Sequence, residues 1–422
     1  MKTRRVIVFL LSFAIIAGFV LFVLNWYPKH LADVPEPVAT EPAIVPETEE
    51  KTETDTETET EAATESETEE TTEQNTEGAK APARLRITAV GDIMFHMPQI
   101  TYAATGDGYD FSDSFALIAP YVQRADFSIG NFETTSNPEY DYSGYPQFNV
   151  PAQALDAIKA AGFDALSTAN NHCLDTYESG IRSTLQAIRE RDMLAFGTRE
   201  EAGERVLLTE INGISIALLS YTYGFNGLEY TLTDEQYTDL VNPLDAEDIR
   251  ADITRAKEMG AELVIVYPHW GVEYSRSPSE DQQILAHNMV DWGADLVLGS
   301  HPHVVQPQEW IDREDGSRAY IIYSMANFIS GQRLEYNEDI HVEQSVLLDI
   351  EVSRNEKDII DVESVDTIPL WVDRTDSGLF RTVATQDGLN DYAHLFADWK
   401  IDRIRQAEQD TTDILTLAGD SE

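Results

Sequence analysis

Residues 293–304 are Gly-Ala-Asp-Leu-Val-Leu-Gly-Ser-His-Pro-His-Val, a short apolar run that ends in Gly-Ser and leads into two histidines. The apolar run predicts a buried strand, because a strand covered on both faces is apolar throughout. We expect the backbone from His301 to His303 to be extended and stiffened by Pro302, so that both imidazoles face one site. Paired imidazoles of this kind suit zinc, manganese or iron.

Five further short segments place polar side chains after predicted strands in the same way. Because ligands of open α/β sheets gather beyond the carboxyl ends of strands, we expect all six segments to meet. Carboxylate, amide and imidazole groups together are what a two-metal hydrolase site requires. The further segments are Gly-Asp at 91–92, Gly-Asn-Phe-Glu at 130–133, Asn-Asn-His at 170–172, His-Trp-Gly at 269–271 and Ser-Met-Ala-Asn-Phe at 324–328.

Each segment taken alone also has an ordinary structural explanation. A Gly-Asp pair is usually a turn, and one histidine at a strand end is usually structural. Two asparagines before His172 also fit a helix cap. Asn131 and Glu133 lie on either side of Phe132, and only one of them is expected to face the site. The ordered set of six segments, and no single one of them, predicts a metal site.

The chain contains one cysteine, Cys173, directly after His172. A ligand or nucleophile role is the alternative, but a lone cysteine is more often a small buried filler, and we expect that here. An exported chain with one cysteine cannot form an internal disulfide. Its stability must come from an apolar core, for which the 342 residues after position 80 are ample.

The first 30 residues have the pattern of a membrane signal. Lys2, Arg4 and Arg5 precede an uncharged apolar run over residues 6–24, which is long enough to cross a bilayer as a helix. The positive flank predicts a cytoplasmic stub, a single-pass anchor and an extracytoplasmic main domain in the cell membrane. A cleaved signal peptide is the alternative, although the run is long for one and no small-residue cleavage site follows it.

Residues 31–83 are predicted to be a disordered Thr/Glu-rich spacer. Between positions 33 and 80 the chain has 17 acidic residues and two lysines, so it has too little apolar surface to offset its ordering entropy. A binding tail is the alternative interpretation. Residues 81–422 also carry a formal charge of −36. Such acidity argues against a nucleic-acid partner, whose phosphates need Lys and Arg, and suits divalent cations.

Strands and helices alternate after the spacer, and strands dominate from about residue 306. The alternation predicts a layered α/β domain with mixed sheets over residues 84–385 and a C-terminal helical extension over 386–422. Asn212-Gly213 between two apolar runs predicts a hairpin. Helices are predicted over 113–124, 151–161, 244–259 and 279–292, and antiparallel pairs for 308–312 with 319–323 and for 345–352 with 359–365.

In their order, the motifs resemble those of the bacterial capsule synthesis protein CapA family, which is associated with poly-γ-glutamate capsule production. Residues 160–164, 269–274 and 293–304 agree with that family over longer stretches. The resemblance covers about residues 85–332 and does not extend to the spacer or the C-terminal region. The CapA family is similar to calcineurin-like metallophosphoesterases. The resemblance therefore implies a four-layer αββα sandwich with two divalent ions (Mn, Zn, Fe or Mg).

The resemblance also implies roles for particular residues. Asp92 would bridge the two ions, which would activate a bridging water as nucleophile, and His172 would be the catalytic acid. From their positions, Asn131, Asn327 and Arg333 are expected to contact substrate. The other implied metal ligands are Glu133, Asn171, His269, His301 and His303.

Two motifs depart from the phosphoesterase pattern. The first phosphoesterase motif is Asp-x-His, but here Asp92 is followed by Ile93 and Met94. His96, four residues after Asp92, is the candidate additional ligand. The departure in the first motif puts the affinity for one of the two metals in doubt. The second phosphoesterase motif supplies Asp, whereas this chain offers Asn131 and Glu133.

The sequence thus predicts a membrane-anchored protein of capsule or poly-γ-glutamate synthesis or export, and a metal-dependent, phosphoesterase-like hydrolase. A non-catalytic accessory subunit of a polymer synthase or exporter is one alternative. A metal-dependent amide hydrolase or transferase acting on polymer or cell wall is another. The expected partners are the membrane, synthase or exporter subunits, and a poly-γ-glutamate or phosphoester substrate.

Overall fold

The computed structural model describes residues 81–416. The predicted membrane span and nearly all of the predicted spacer lie outside the described residues, as do positions 417–422. Within residues 81–416, no helix combines the length and the apolar character needed to cross a bilayer. The described chain consists of two mixed sheets and the helices that cover them.

Strands and helices alternate up to residue 298, and strands dominate after it. The strands are β1 (Ala83–Ile93), β2 (Phe127–Phe132), β3 (Ala165–Ser167), β4 (Leu194–Phe196), β5 (Leu207–Ile211), β6 (Ile214–Thr222), β7 (Leu263–His269), β8 (Leu296–Leu298), β9 (Gln308–Asp312), β10 (Arg318–Ile322), β11 (Asn327–Ile329), β12 (Gln344–Arg354), β13 (Ile360–Arg374) and β14 (Phe380–Ala384). The helices are α1 (Met97–Ala103), α2 (Ser112–Phe115), α3 (Ala119–Val122), α4 (Gln153–Ala161), α5 (Tyr177–Arg189), α6 (Asp234–Leu240), α7 (Ala246–Glu258), α8 (Glu280–Trp292), α9 (Leu334–Asn337), α10 (Thr385–Leu389) and α11 (Asp398–Thr416).

The first sheet has eight strands in the order β14-β13-β12-β1-β2-β3-β4, and β11 also pairs with β1. Strands β1 to β4 are parallel, whereas β12, β13 and β14 are antiparallel to their neighbours. The register places Asp92 of β1 opposite both Asn131 of β2 and Asn327 of β11. Polar side chains at the carboxyl ends of β1 and β2 therefore meet the one at the start of β11.

The second sheet has six strands in the order β5-β6-β7-β8-β10-β9. Its four central strands are parallel, and β5 and β9 are antiparallel edge strands. The predicted hairpin at Asn212-Gly213 is confirmed, and both residues have the positive φ that a tight hairpin turn requires (52° and 77°). The predicted pairs β9–β10 and β12–β13 are confirmed as well.

Apolar cores separate the layers. Ile87 and Ile129 of the first sheet and Leu218 and Ile265 of the second lie in the core between the two sheets. A second core joins the outer face of the first sheet to α1, α4 and α5, and a third joins the second sheet to α7 and α8. The layers therefore run helix, sheet, sheet, helix, and the predicted mixed α/β class is confirmed.

The helix boundaries follow local capping chemistry. The side chain of Ser279 accepts a hydrogen bond from Gln282 N at the start of α8, and Gly293 ends that helix in the left-handed conformation. The predicted helix over 113–124 is wrong, because the chain forms the two short helices α2 and α3 instead. Pro120 is the second residue of α3, and its ring and missing N–H prevent a continuous helix from running through the preceding residues.

The C-terminal helix α11 packs against the first sheet. Its residues Ile404 and Ala407 share an apolar cluster with Trp371 and Val383. The helix therefore belongs to the same compact unit as the two sheets.

Candidate metal centre

The candidate centre begins at Asp92, at the carboxyl end of β1. Its backbone N–H donates to Ala326 O at 2.9 Å. A Cβ on the preceding Gly91 would lie 1.9 Å from that same oxygen, so this position has no room for a side chain. The close approach of the two backbones holds the Asp92 carboxylate beside the polar ends of β2 and β11.

Asn131 and Glu133 both face this carboxylate. Asn131 Nδ2 donates to Asp92 Oδ1 at 2.8 Å and lies 3.5 Å from Glu133 Oε2. Asn170 Nδ2 in turn donates to Asn131 Oδ1 at 3.1 Å. The expectation that only one of Asn131 and Glu133 faces the site is wrong, because side chains two apart along a strand point the same way.

His269 joins the cluster from the end of β7 in the second sheet. Its Nδ1 lies 2.9 Å from Ser300 Oγ, and its Nε2 lies 2.9 Å from Asn171 Oδ1. Its Nε2 is also 3.5 Å from Glu133 Oε1. Burial lowers the pKa of His269 to about 3, so the imidazole is neutral at neutral pH. The neutral ring is the form that binds metals.

His301 and His303 also converge on the cluster, but the extended backbone expected for them is wrong. Their φ angles are 98° and 59°, so the chain turns sharply at both residues. Tyr274 N donates to Pro302 O at 2.8 Å and anchors this turn from the segment that follows β7. The two ring centroids are 5.9 Å apart, and His303 Nδ1 lies 3.2 Å from Asp92 Oδ2. A left-handed turn, and not strand alternation, brings the rings together.

The side chains form three groups that could each hold a metal ion. Within each group the potential ligand atoms lie within 4.8 Å of one another. Two of the groups share Glu133, and two share His301. The groups are Asp92 with Glu133 and His303, Glu133 with His269 and His301, and Glu273 with His301 and His303.

Glu273 was not predicted as a site residue. Its sequence signal is a carboxylate four positions after His269, inside the stretch 269–274 that carries the family resemblance. It is the exposed member of its group, whereas His301 and His303 are buried. Glu273 therefore lies where the candidate centre opens to solvent.

Two buried atoms test whether these residues fit a metal. Glu133 Oε1 and His301 Nδ1 are buried and have no hydrogen-bond partner among the described residues. Burial, together with the nearby Asp92, raises the pKa of Glu133 well above its ordinary value. Burial alone would raise the pKa of Asp92 too, but the hydrogen bond and charge of His303 hold it below its usual value. Buried polar atoms without hydrogen-bond partners are costly unless a cation binds them, so the residues fit divalent metals.

His172 lies beside the cluster and is held by Asp175. The distance from His172 Nδ1 to Asp175 Oδ2 is 2.7 Å. Asp175 also accepts a hydrogen bond from Phe148 N, and the Phe148 ring packs edge-on against the imidazole at 4.7 Å. Asp175 was not predicted; its only sequence signal is a carboxylate three residues after His172. The arrangement orients an imidazole that lines the adjoining cavity.

The structure places two of the expected site residues in supporting roles. Asn327 Oδ1 lies 3.0 Å from His303 Nδ1, so Asn327 orients a candidate ligand. His96 Nδ1 accepts a hydrogen bond from Gly331 N at 3.0 Å, and His96 belongs to none of the three ligand groups. Burial lowers the pKa of His96 to about 4.

Arg333 and Cys173 lie away from the candidate ligands. Arg333, expected to contact substrate, is buried in an ion pair with Glu343 at 3.0 Å and donates to Val372 O. It is not among the residues that line the cavity. Cys173 is buried, and burial raises the pKa of its thiol to about 12, as befits an unreactive filler.

A cavity of about 860 Å³ opens beside the cluster. Asn171, His172 and His303 form part of its wall, so a molecule bound there would contact the candidate ligands and the oriented imidazole. Cavities of this size accommodate small-molecule ligands.

Comparisons with known proteins agree with this set of motifs. The capsule biosynthesis protein CapA of Bacillus anthracis is 31% identical over 292 residues, which cover 66% of this chain and 66% of that protein. The PGA biosynthesis protein CapA of Bacillus subtilis (strain 168) is 29% identical over 300 residues, covering 68% and 74%. The chain thus spans about two thirds of the length of the Bacillus anthracis relative.

The solved structures that align with this chain include a nucleotidase and a calcineurin-like phosphoesterase. The NAD nucleotidase NadN of Haemophilus influenzae aligns with a TM-score of 0.44 and 10% identity, covering 78% of this chain and 62% of that one. The calcineurin-like phosphoesterase YfkN of Bacillus subtilis aligns with a TM-score of 0.40 and 13% identity, covering 79% and 99%.

A family profile matches the part of the chain that holds the candidate centre. The profile described as bacterial capsule synthesis protein PGA_cap matches residues 86–332, which is more than half of the chain and includes every candidate metal ligand. The chain therefore belongs to the bacterial capsule synthesis protein PGA_cap family.

Proposed function

We propose that this protein is a divalent-metal-dependent hydrolase of capsule or poly-γ-glutamate synthesis, and that it acts on a phosphoester. One observation carries the proposal: a buried carboxylate oxygen of Glu133 has no hydrogen-bond partner among the described residues and faces a cluster of buried imidazoles. Carboxylate and imidazole ligands at this spacing support metal binding. The names of the Bacillus relatives support the biological setting.

The candidate ligands divide into those that would hold the ions and those that position them. When bound, the ions supply Lewis-acid activation of the scissile group. Ser300 and Asn327 each contact one ligand imidazole, and Asn131 holds the Asp92 carboxylate. Such supporting contacts set ring orientation and ligand basicity. The ligands proposed are Asp92, Glu133, Asn171, His269, His301 and His303, with Glu273 at the solvent side.

His172 is proposed as the proton donor to the leaving group. The contact with Asp175 holds Nδ1, which leaves Nε2 to exchange a proton with a molecule in the cavity. An imidazole suits this task because its ordinary pKa is near neutral pH. The carboxylate also stabilises the ring when it is protonated, so Asp175 is a positioning residue.

The purified full chain can test the proposal. Metal content measured by plasma mass spectrometry is expected to be two ions per chain, and hydrolysis of p-nitrophenyl phosphomonoesters or phosphodiesters should require them. We expect chelation to abolish hydrolysis and His301→Ala to lower it about 100-fold or more. His394→Ala changes an exposed histidine outside the site and serves as the matched control.

Two other results would favour the alternatives. Cleavage of γ-glutamyl p-nitroanilide without phosphoester cleavage would indicate a metal-dependent amide hydrolase or transferase. Absence of bound metal and of all hydrolysis would indicate an accessory subunit of a polymer synthase or exporter.

We also infer that residues 31 onward lie outside the cytoplasm behind a single-pass anchor, beside membrane subunits of a polymer synthase or exporter. The apolar run over 6–24 and its basic flank support this placement. Alkaline phosphatase fused after residue 422 should be active in cells, and green fluorescent protein fused there should be dark. The opposite pattern would contradict the orientation, and sequencing the mature N-terminus would distinguish an anchor from a cleaved signal.

A further inference from the structure

Among the described residues, the wall of the cavity carries carboxylates and imidazoles but neither Lys nor Arg. Two of the lining residues, Asp175 and Glu273, are acidic. Arg374 donates to the Tyr336 hydroxyl at 3.0 Å, but Arg374 is not itself part of the wall. Proteins that recognise carboxylates or phosphates usually bind them with Arg or Lys. A chain of carboxylates would find no such partner in this wall.

The net negative charge of the surrounding domain also disfavours an anionic polymer. Residues 81–422 carry a formal charge of −36, which repels a polyanion as it approaches. Metal ions at the candidate centre would neutralise one anionic group at the bond that reacts. They would not compensate for a carboxylate on every unit of a bound polymer.

Neutral hydrogen-bonding groups supply much of the polarity of the wall. A primary amide both donates and accepts hydrogen bonds, as do the hydroxyl and amide groups of an uncharged ligand. The amides that line the cavity are Gln147, Asn171, Asn226, Gln332 and Asn337.

Three tyrosines expose their rings around the same cavity. Tyr145 is 79% exposed, Tyr336 is 62% exposed and Tyr274 is 39% exposed, and all three line the cavity. Tyrosine offers a flat apolar face with a polar tip, which suits ligands that have both kinds of surface. Large exposed apolar groups that cluster at one place mark binding surfaces.

We propose that this cavity binds an uncharged, hydroxyl- and amide-bearing group, the chemistry of an N-acetylated sugar, next to the bond that is cleaved. The identity of that bond rests on the proposed function, whereas the binding preference rests on the wall alone. Sugar hydroxyls and the acetamido group pair with the amides, and the C–H faces of the sugar ring pack on the tyrosines. A γ-glutamate chain, with one carboxylate per unit, is expected to bind this wall more weakly than the sugar.

Binding to the full chain can be measured by isothermal titration calorimetry with two ligands of equal length. One is a tetramer of N-acetylglucosamine, and the other is a tetramer of γ-linked glutamate. We expect the sugar to bind about tenfold or more tightly than the peptide, both in chelator and with manganese. Tighter or equal binding of the γ-glutamate tetramer, or no binding of the sugar, would overturn the proposal.

Variants of the tyrosines test the same binding mode. Tyr145→Ala and Tyr336→Ala should each weaken sugar binding about threefold or more, since each removes a ring that contacts the ligand. Tyr230→Ala is the matched control, because Tyr230 is also 79% exposed but does not line the cavity. All three positions are exposed, so folding should survive, and circular dichroism checks this. Sugar binding unchanged in both cavity variants would also overturn the proposal.

A variant that gains affinity for the γ-glutamate tetramer provides a further test. Gln147→Lys places a cation at the exposed edge of the wall and should increase binding of the γ-glutamate tetramer about threefold or more at low salt. The increase should disappear in high salt, because screening weakens exposed charge pairs. No increase would show that charge in the wall does not set the preference.

The two proposals fail in different ways. Sugar binding without any metal-dependent hydrolysis would contradict the proposed hydrolase function and support the proposed binding preference. Phosphoester hydrolysis without sugar binding would sink only this inference.

Discussion

Without a bound metal ion, the environment of the Glu133 carboxylate is unfavourable for a negative charge. The carboxylate is fully buried, one oxygen has no hydrogen-bond partner within residues 81–416, and Asp92 lies close enough to oppose a second negative charge. Because the folded-state pKa is raised, the folded chain binds this proton more tightly than the unfolded chain does. The stability that the protonated Glu133 side chain contributes is therefore lost as pH rises through its folded-state pKa.

Replacing this carboxylate should separate its effect on the stability of the fold from its effect on metal binding. In chelator at pH 7, Glu133→Gln should raise the free energy of unfolding by roughly 1–3 kcal/mol, since the amide keeps the shape without the buried charge. The same variant should bind less metal. Urea unfolding with and without chelator measures the first effect, and plasma mass spectrometry measures the second.

The controls for Glu133 are a second pH and a surface site. Near pH 4 the difference between Glu133→Gln and the original chain should shrink, because glutamate is then largely protonated in both states. Glu351→Gln, at an exposed position, should change the unfolding free energy by less than about 0.5 kcal/mol. A Glu133→Gln chain that is less stable in chelator would contradict this account.

His96 should add a separate dependence on pH. Burial lowers its pKa from 6.5 to about 4, and its unprotonated Nδ1 accepts from Gly331 N. A lowered histidine pKa stabilises the fold fully above about pH 6.5, and this stability is lost as pH falls towards 4. Relative to His96→Gln, the original chain should lose on the order of 2 kcal/mol over that window, allowing for partial exposure of the ring. Parallel pH dependence of the two chains in urea unfolding would refute this.

At the scale of elements, strand ends and one turn assemble the candidate centre. The parallel register of β1, β2 and β11 puts Asp92, Asn131 and Asn327 side by side. The positive φ angles of His301 and His303 then turn both rings back towards that row. Each element thus supplies ligands at its end, where the backbone no longer has to continue the sheet.

The C-terminal helix supports the wall of the cavity through Glu343. Arg403 of α11 donates to both carboxylate oxygens of Glu343, at 2.7 and 2.8 Å. Glu343 also accepts from Leu334 N and from Trp371 Nε1. The segment held in this way, residues 331–337, includes four residues that line the cavity.

Removing the ion pair between Arg403 and Glu343 should destabilise the cavity wall formed by residues 331–337. Arg403→Met should lower the free energy of unfolding by roughly 1–3 kcal/mol, because the buried Glu343 then keeps only Arg333 as an ionic partner. For any substrate that is hydrolysed, KM should rise more than kcat falls, since the ligands themselves are untouched. Arg405→Met, on the same helix but exposed and paired only within it, should cost less than about 0.5 kcal/mol. Equal effects of the two variants would count against this role for α11.

At the scale of the whole molecule, the candidate ligands come from both sheets. Asp92 and Glu133 follow strands of the first sheet, whereas His269, His301 and His303 follow strands of the second. Metal ions held by these residues would link the two sheets at the edge of the core that lies between them.

Metal removal should therefore destabilise the whole fold and not only the site. At a free metal concentration about 100 times its dissociation constant, each bound ion contributes about 2.7 kcal/mol, so chelation of two ions should lower Tm by roughly 5–10 °C. Differential scanning calorimetry measures the shift, and added manganese or zinc should reverse it. A Tm that chelator does not move would argue against a resident metal.

Local sequence patterns were enough to locate most elements and their ends. The hairpin at Asn212-Gly213, the pair β12–β13 and the helix that ends at Gly293 depend on turn chemistry and residue periodicity within a few positions. The helix over 113–124 was predicted wrongly, since periodicity outweighed the effect of Pro120 in that prediction.

By itself, the sequence determined the strand ends at which Asp92, His269 and His301 lie, because apolar runs and the glycines that end them are local properties. Only the tertiary structure decided which side chains share a site. It added Glu273 and Asp175 to the candidate centre, and it placed His96 and Arg333 in other contacts. The physical reason is that sheet order and the path of the turns after the strands arise from packing between distant residues, which leaves no local pattern in the sequence.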